Sequence, residues 1–289
     1  MAITYDVLKS VTSQMYARSL RAVPADAKKA LAGARTRETN PVARNTLDLM
    51  VANATAAEER GHFLCSDSGV PTYQIRVGTQ ARFDGDVKRA IRDGFAELVA
   101  ASDPPLLKHV TNPLTNERGH AGKDMPIVTF DLVDGADDVE IICSPKALGS
   151  GRWAALEIFT FPSIAEIEEY IMKVVLTAGS QACPPVVVGV GIGGTFDYAT
   201  KLAKESVVRP IGQSHPEPLI ADMEKRLLEA VNKTGFGPMG TGGATTAMAV
   251  HVDYASGHGF TPVAVCFNCW IDRRTRVRIS NDGTVTETE

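Results

Sequence analysis

The chain has 289 residues, with 30 Lys and Arg against 34 Asp and Glu, a formal net charge of −4, and an ordinary composition of 44% hydrophobic and 22% charged residues. That length suits one large domain or two small ones and buries a core without disulfide staples. The charge balance excludes the basic footprint of a nucleic-acid binder or of a protein drawn to anionic membranes, while leaving room for a locally positive site that takes a small anion.

The N-terminus, Met-Ala-Ile-Thr-Tyr-Asp, has no basic stretch leading into an apolar one. Apolar runs such as 185–190 fall far short of the ~20 residues that span a bilayer. The expectation is a cytoplasmic protein. About the first 55 residues read as helical, with Leu8, Val11, Met15 and Leu20 on one stripe and Leu47, Met50 and Val51 on another. Between them, the charged segment 28–40 reads as a mobile connection. Residues 62–71 read as a loop carrying Gly69 and closed by Pro71. A short strand over 73–77 and an amphipathic helix over 86–101 follow. Residues 109–126, rich in Asn, Gly and Pro, read as a long functional loop rather than a packed element. Strands over 127–132 and 139–143 are joined by the acidic turn 134–137.

The clearest helix opens at Ser163, which forms a capping box with Glu166. Ile164, Ile167, Ile171 and Val174 share its apolar face, and Gly179 ends it. An apolar strand over 186–190 leads into the glycine cluster 191–195. A helix over 216–233, a second glycine-rich stretch over 237–243 and strands over 247–254 and 261–270 complete the chain. Alternating strands and helices fit a mixed α/β fold.

There are five cysteines, Cys65, Cys143, Cys183, Cys266 and Cys269, an odd number that argues against a disulfide framework. Cys65, Cys183 and Cys269 each sit where a loop meets a regular segment, yet their separations obey no local spacing rule. On spacing alone each is better explained as a small buried hydrophobe than as a ligand. Cys266-Phe-Asn-Cys269 lacks the second pair of a zinc finger and the following helix of a thioredoxin-like redox motif. On a strand its two thiols face opposite ways. Gly189-Val-Gly191-Ile-Gly193-Gly194 satisfies G-x-G-x-x-G after a strand. A dinucleotide site, however, wants a second strand ending in an acidic residue ~20 residues on, where this chain has Val207-Val208-Arg209-Pro210. The amides of that turn are a candidate anion nest. The run 237–246 lacks the ending of a P-loop, and its glycines suit either a close approach to a ligand or a surface turn.

Taken together, these segments resemble a known family. Leu64-Cys65-Ser66-Asp67-Ser68-Gly69-Val70-Pro71 resembles the Cys-Gln-Asp-Thr-Gly-Ile-Pro loop of class I, iron–sulfur fumarases and L(+)-tartrate dehydratase α-subunits. Ala182-Cys183-Pro184-Pro185 with 189–195 is similar to that family's second cysteine segment. Gly242-Gly243-Ala-Thr-Thr246, His251-Val-Asp-Tyr-Ala255 and Pro262-Val-Ala-Val265 with Asn268-Cys269-Trp270 are similar to its third. The motifs keep the family order over about 60–275.

The resemblance implies one fumarase-type catalytic domain over 1–289 with a helical N-terminal region over about 1–58, its glycine-rich strand–loop segments surrounding a cluster site. It implies a [4Fe–4S] cluster held by Cys65, Cys183 and Cys269, with one iron left open as a Lewis acid. Cys143 and Cys266 are then packing residues. Asp67 and His258 are implied as proton-handling catalytic residues, and Lys146, Gly149, Arg152, Gly193 and Thr195 as substrate-binding. The family's Pro-Lys-Gly-Gly-Gly-Ser-Glu-Asn is here Pro145-Lys146-Ala147-Leu148-Gly149-Ser150-Gly151-Arg152. That change brings apolar side chains and a guanidinium able to grip a carboxylate. The implied activity is reversible hydration of a small dicarboxylate of the fumarate/malate, tartrate/oxaloacetate or mesaconate/citramalate type. Single-chain members carry a further C-terminal domain, so this chain is expected to be an α-subunit that needs a β-subunit in a homo- or hetero-oligomer. Two other readings stay open: an NAD(P)-binding oxidoreductase, and a non-catalytic partner subunit of a hydratase.

Overall fold

The structure, a computed structural model, describes residues 1–103, 106, 110–119 and 122–288. In chain order the elements are β1 (Ile3–Thr4), α1 (Tyr5–Ser19), α2 (Ala25–Arg37), α3 (Pro41–Arg60), β2 (Thr72–Gly78), β3 (Phe83–Asp84), α4 (Val87–Ala101), β4 (Val110–Thr111), β5 (Arg118–Gly119), β6 (Ile127–Val133) and β7 (Asp138–Cys143). Then follow α5 (Leu148–Gly151), β8 (Ala155–Thr160), α6 (Ile164–Ala178), β9 (Val186–Gly193), α7 (Phe196–Ser206), α8 (Pro218–Lys233), β10 (Ala247–Ala255), β11 (Phe260–Asn268), β12 (Thr275–Ser280) and β13 (Val285–Glu287). The fold is mixed α/β, as the alternation of patterns predicts. No helix among the described residues is long and apolar enough to cross a membrane.

Two compact units divide the chain: residues 1–22, 57–147 and 273–289 form the first, and 23–56 with 148–272 the second. The first is built on a five-stranded sheet in the order β13-β12-β7-β2-β6, in which only β2 and β6 run parallel. One face alternates Tyr73 and Ile75 on β2 with Val139, Ile141 and Cys143 on β7, as a strand's two-residue period requires. These pack with Leu8, Met15 and Tyr16 of α1 and Ile91 and Phe95 of α4 in one core. The two helices approach closely because α4 carries Gly94, where a Cβ would stand 2.3 Å from the Lys9 carbonyl oxygen.

The second unit has a four-stranded sheet in the order β10-β9-β11-β8 with helices on both faces. Val186, Val188 and Val190 of β9 face α6 and α8, joining Ile171, Val174, Leu227 and Val231 in its core. The intervening Gly189 and Gly191 face α7. A Cβ on Gly191 would lie 2.1 Å from the Ala199 carbonyl oxygen, and one on Gly189 2.4 Å from that of Ala203. Helix α6 opens on the predicted capping box, Ser163 with Glu166, and closes at Gly179 with φ of 50°. Its buried face holds Ile167, Ile171 and Val174 as expected, while Ile164 stays exposed.

The structure corrects two sequence expectations. Segment 28–40 is not a mobile connection, since most of it is helix α2. Ala27, Leu31 and Ala34 form a narrow buried stripe, and the lysines and arginines that made the segment look mobile lie on the solvent side. The stretch 109–126 contains a short hairpin, β4 paired with β5, whose turn is closed by the Asn112 side chain; His109, His120 and Ala121 lie outside the described residues. Residues 207–210 leave the end of α7 through a turn, in line with their mismatch to a second nucleotide-binding strand.

Candidate active site

In the first unit, the loop between α3 and β2 presents Cys65. Its start is pinned where the Leu64 amide donates to the Leu20 carbonyl at 2.9 Å. Three successive carbonyls are then drawn inward. The buried Arg273 guanidinium donates to that of Asp67 at 2.6 Å, and the Tyr16 hydroxyl lies 3.4 and 3.3 Å from those of Ser68 and Gly69. Burial pushes the Tyr16 phenol well above its usual range, so it remains a donor. The Asp67 carboxylate accepts the Gly69 amide at 2.9 Å. Val70 and Lys146 exchange both backbone hydrogen bonds at 2.8 Å, which brings Lys146 against the loop. Gly69 is required at this bridge. Its φ is +72°, and a Cβ would stand 2.8 Å from the Lys146 carbonyl carbon and 2.9 Å from the Ala147 nitrogen. Cys65 itself is half-buried.

In the second unit, Cys183 and Cys269 occupy linked turns. A 3₁₀ turn after α6 ends at Cys183, which adopts the left-handed conformation with φ 59° and ψ 61°. Its carbonyl accepts the Trp270 amide at 3.0 Å, and the Pro184 carbonyl accepts the Met239 amide at 2.8 Å. Gly149, on the single turn α5, sits so close that a Cβ there would be 3.1 Å from the Cys183 sulfur. Cys269 directly follows β11 and opens a turn in which the Asp272 amide donates to its carbonyl at 2.9 Å. Met239 belongs to the glycine-rich run 237–246, whose glycines approach protein groups. A Cβ on Gly240 would meet the Ser180 Cβ at 2.3 Å and one on Gly243 the Glu38 carboxylate at 2.6 Å. Buried Glu38 ties that run to the α2–α3 corner by accepting the amides of Thr39, Asn40 and Ala244 at 3.0, 2.9 and 2.8 Å.

The five cysteines fall into two groups, and none is in a disulfide. Cys143 is fully buried, and desolvation pushes its thiol up to about 12. Cys266 is buried and donates to the Ala203 carbonyl at 3.2 Å. Cys65, Cys183 and Cys269 are half-buried, the first within the α3–β2 loop and the other two directly after regular elements. Partly accessible thiols are the donor type that iron–sulfur clusters take. Among the described residues, no group of three or more His, Cys, Asp and Glu is placed to hold a metal ion.

The remaining expected residues are placed as follows. His258 is exposed in the turn between β10 and β11, its ring stacked on Phe260 at 5.7 Å. Arg152 is exposed, with its guanidinium 4.9 Å over the Trp153 ring. Gly193 is buried with φ +82°, its Cβ position filled by the Ala255 carbonyl. Thr195 is the N-cap of α7. Its hydroxyl, with the amides of Asp197 and Tyr198, holds the Asp197 carboxyl below the usual carboxylate range. An internal carboxylate therefore already meets the positive end of that helix. The glycines of 189–191 serve strand–helix packing, so the G-x-G-x-x-G pattern carries no dinucleotide signal here. Sequence reasoning missed Tyr16, Glu38 and Met239 altogether and gave Arg273 no role. Only the Arg273-Arg274 pair, a charge doublet at the end of an apolar strand, offered a signal.

Comparison with known proteins adds independent findings. Residues 9–278 match the family model described as fumarate hydratase (Fumerase). The chain is 36% identical over 284 residues to a protein of Methanocaldococcus jannaschii named "Putative L(+)-tartrate dehydratase subunit alpha", covering 96% of this chain and 99% of that one. It is 30% identical over 270 residues to the "L(+)-tartrate dehydratase subunit alpha" of Escherichia coli strain UTI89, covering 91% and 87%. Against the protein of that name from strain K12 it is 29% identical over the same length.

Proposed function

The chain belongs to the fumarate hydratase family of hydro-lyases, and from that premise we propose that it is the α-subunit of an enzyme that reversibly hydrates a small dicarboxylate on a [4Fe–4S] cluster. Cys65, Cys183 and Cys269 are the cluster ligands in this reading. The observation that carries it is the division of the thiols: these three stand half-buried on braced turns, whereas Cys143 and Cys266 are sealed in the cores. When bound, such a cluster supplies an open iron as Lewis acid for the hydroxyl that is lost or gained.

The chain's own residues do the rest. Asp67 is the candidate proton-handling group, two residues after Cys65 and fixed at both its carbonyl and its carboxylate. His258 is the second, its ring held by stacking on Phe260 while its nitrogens remain at the surface. Lys146 and Arg152 are candidate partners for substrate carboxylates. Gly149 leaves the Cys183 sulfur uncovered, and Gly193 shapes the backbone ahead of α7. Thr195, the N-cap of α7, is the last candidate substrate contact. The relatives' names support a separate β-subunit that completes the enzyme. The test is anaerobic co-expression with a candidate β-subunit, followed by NMR of the deuterium-labelled products formed in D2O from fumarate, L(+)-tartrate and mesaconate. Turnover of one substrate that is lost in Asp67→Asn supports the reading. An iron-loaded complex with no turnover on any of them contradicts it.

A further inference from the structure

Cys269 opens a turn that is closed twice. The backbone closure is the Asp272 amide on the Cys269 carbonyl at 2.9 Å. The second crosses the base of the turn, where the Asn268 side-chain amide donates to the Asp272 carboxylate at 2.8 Å. The same amide also reaches the Val207 carbonyl at 3.3 Å, which ties the turn to the end of α7. Asp272 is fully buried and holds φ of +48°, in the left-handed region that L-residues rarely adopt. Asn268, Trp270 and Ile271 are 4%, 9% and 2% exposed, so Cys269 is the one half-buried residue of an otherwise sealed segment. Trp270, next in the chain, donates its amide to the Cys183 carbonyl, so the position of this turn also sets that of the second cysteine segment.

A buried carboxylate on strained backbone persists when its surroundings over-determine it. We propose that Asn268 and Asp272 are positioning residues: their side-chain brace fixes the direction of the Cys269 thiol and, through Trp270, the separation of Cys269 from Cys183. The proposal deepens the cluster reading above and rests on it for its purpose, though not for its geometry. Removing Asn268 would take one donor from a buried carboxylate and loosen the tie to Val207 at the same time, so the informative variants are at Asp272. Asp272→Asn keeps an acceptor for Asn268 and a side chain tolerated in the left-handed region. Asp272→Gly relaxes the backbone and deletes the brace.

The experiment reads two quantities on each full-length variant. One is the iodoacetamide alkylation rate of Cys269 relative to Cys65 in cluster-free protein, by mass spectrometry. The other is iron per chain after anaerobic reconstitution. Asp272→Gly is expected to alkylate Cys269 at least fivefold faster with Cys65 unchanged, and to retain less than half the wild-type iron. Asp272→Asn should stay within twofold of wild type on both counts. Equal Cys269 rates in wild type and Asp272→Gly overturn the proposal, as does a parallel rise at Cys65 that reports only general loosening. Wild-type protein that takes up no iron contradicts the cluster reading, and the alkylation ratio still decides the brace.

Discussion

Substituting Gly69 by alanine separates two costs that the Cys65 loop combines. The left-handed backbone, φ +72°, costs a residue with a Cβ roughly 1–2 kcal/mol. The added carbon also lands 2.8 Å from the Lys146 carbonyl carbon and 2.9 Å from the Ala147 nitrogen. These are backbone atoms that cannot rotate away, and overpacking of this kind costs ~1–3 kcal/mol. Gly135 supplies the control: its φ is +74°, with nothing within 4 Å of the Cβ position. Gly135→Ala should therefore lose about 1–2 kcal/mol. Gly69→Ala should lose a further ~1–3 kcal/mol, with the Val70–Lys146 bridge opening. At ~2–4 °C per kcal/mol the two variants should differ by about 2–12 °C in melting temperature. Differential scanning calorimetry measures the gap, and iron content should fall in Gly69→Ala alone. Equal melting temperatures for the two variants would refute the claim that the loop is locked against Lys146.

Three further outcomes follow from the geometry. Gly191→Ala drives a carbon to 2.1 Å from the Ala199 carbonyl, so it should lose at least ~3 kcal/mol by denaturant melt; a near-neutral melt would mean α7 does not rest on β9. The Cys143 thiol, raised from 9.0 to about 12 in the fold, binds its proton more tightly folded than unfolded. Its contribution is thus fully present below pH 9 and lost as pH rises toward 12, on the order of 4 kcal/mol by linkage. Urea melts of Cys143→Ala should show a shallower alkaline decline than wild type, and parallel declines would contradict the assignment. Glu38→Ala removes a carboxylate that accepts three amides and should cost ~2–3 kcal/mol, read as a lower urea midpoint with an unchanged slope.

What was legible in the sequence is what local chemistry controls. The Ser163–Glu166 capping box, the Ile167, Ile171 and Val174 stripe and the valine-rich strand β9 all appear where their patterns put them. Helix α7 went unread because its buried face, Ala199, Leu202, Ala203 and Ser206, is nearly free of bulk. The complement to that face is glycine on β9, which looked instead like a ligand loop. The order of the first sheet was likewise hidden. The acidic turn at 134–137 joins β6 and β7 in sequence, yet β2 lies between them. At the candidate site, the three cysteines and Asp67 are candidates through motif resemblance. Their supports are not, because Tyr16 lies 52 residues from Ser68 and Arg273 206 residues from Asp67. No spacing rule reaches contacts made by tertiary folding.

Iron and acid-labile sulfide content, with an electron paramagnetic resonance spectrum, tests the central claim most directly when measured on anaerobically reconstituted wild type and on Cys65→Ser, Cys183→Ser, Cys269→Ser and Cys143→Ser. The account predicts about four irons and four sulfides per chain in wild type and in Cys143→Ser, as a [4Fe–4S] cluster requires. It predicts loss of the intact cluster in each of the other three. Full iron content in any one of those three, or none in a folded wild type, would contradict it.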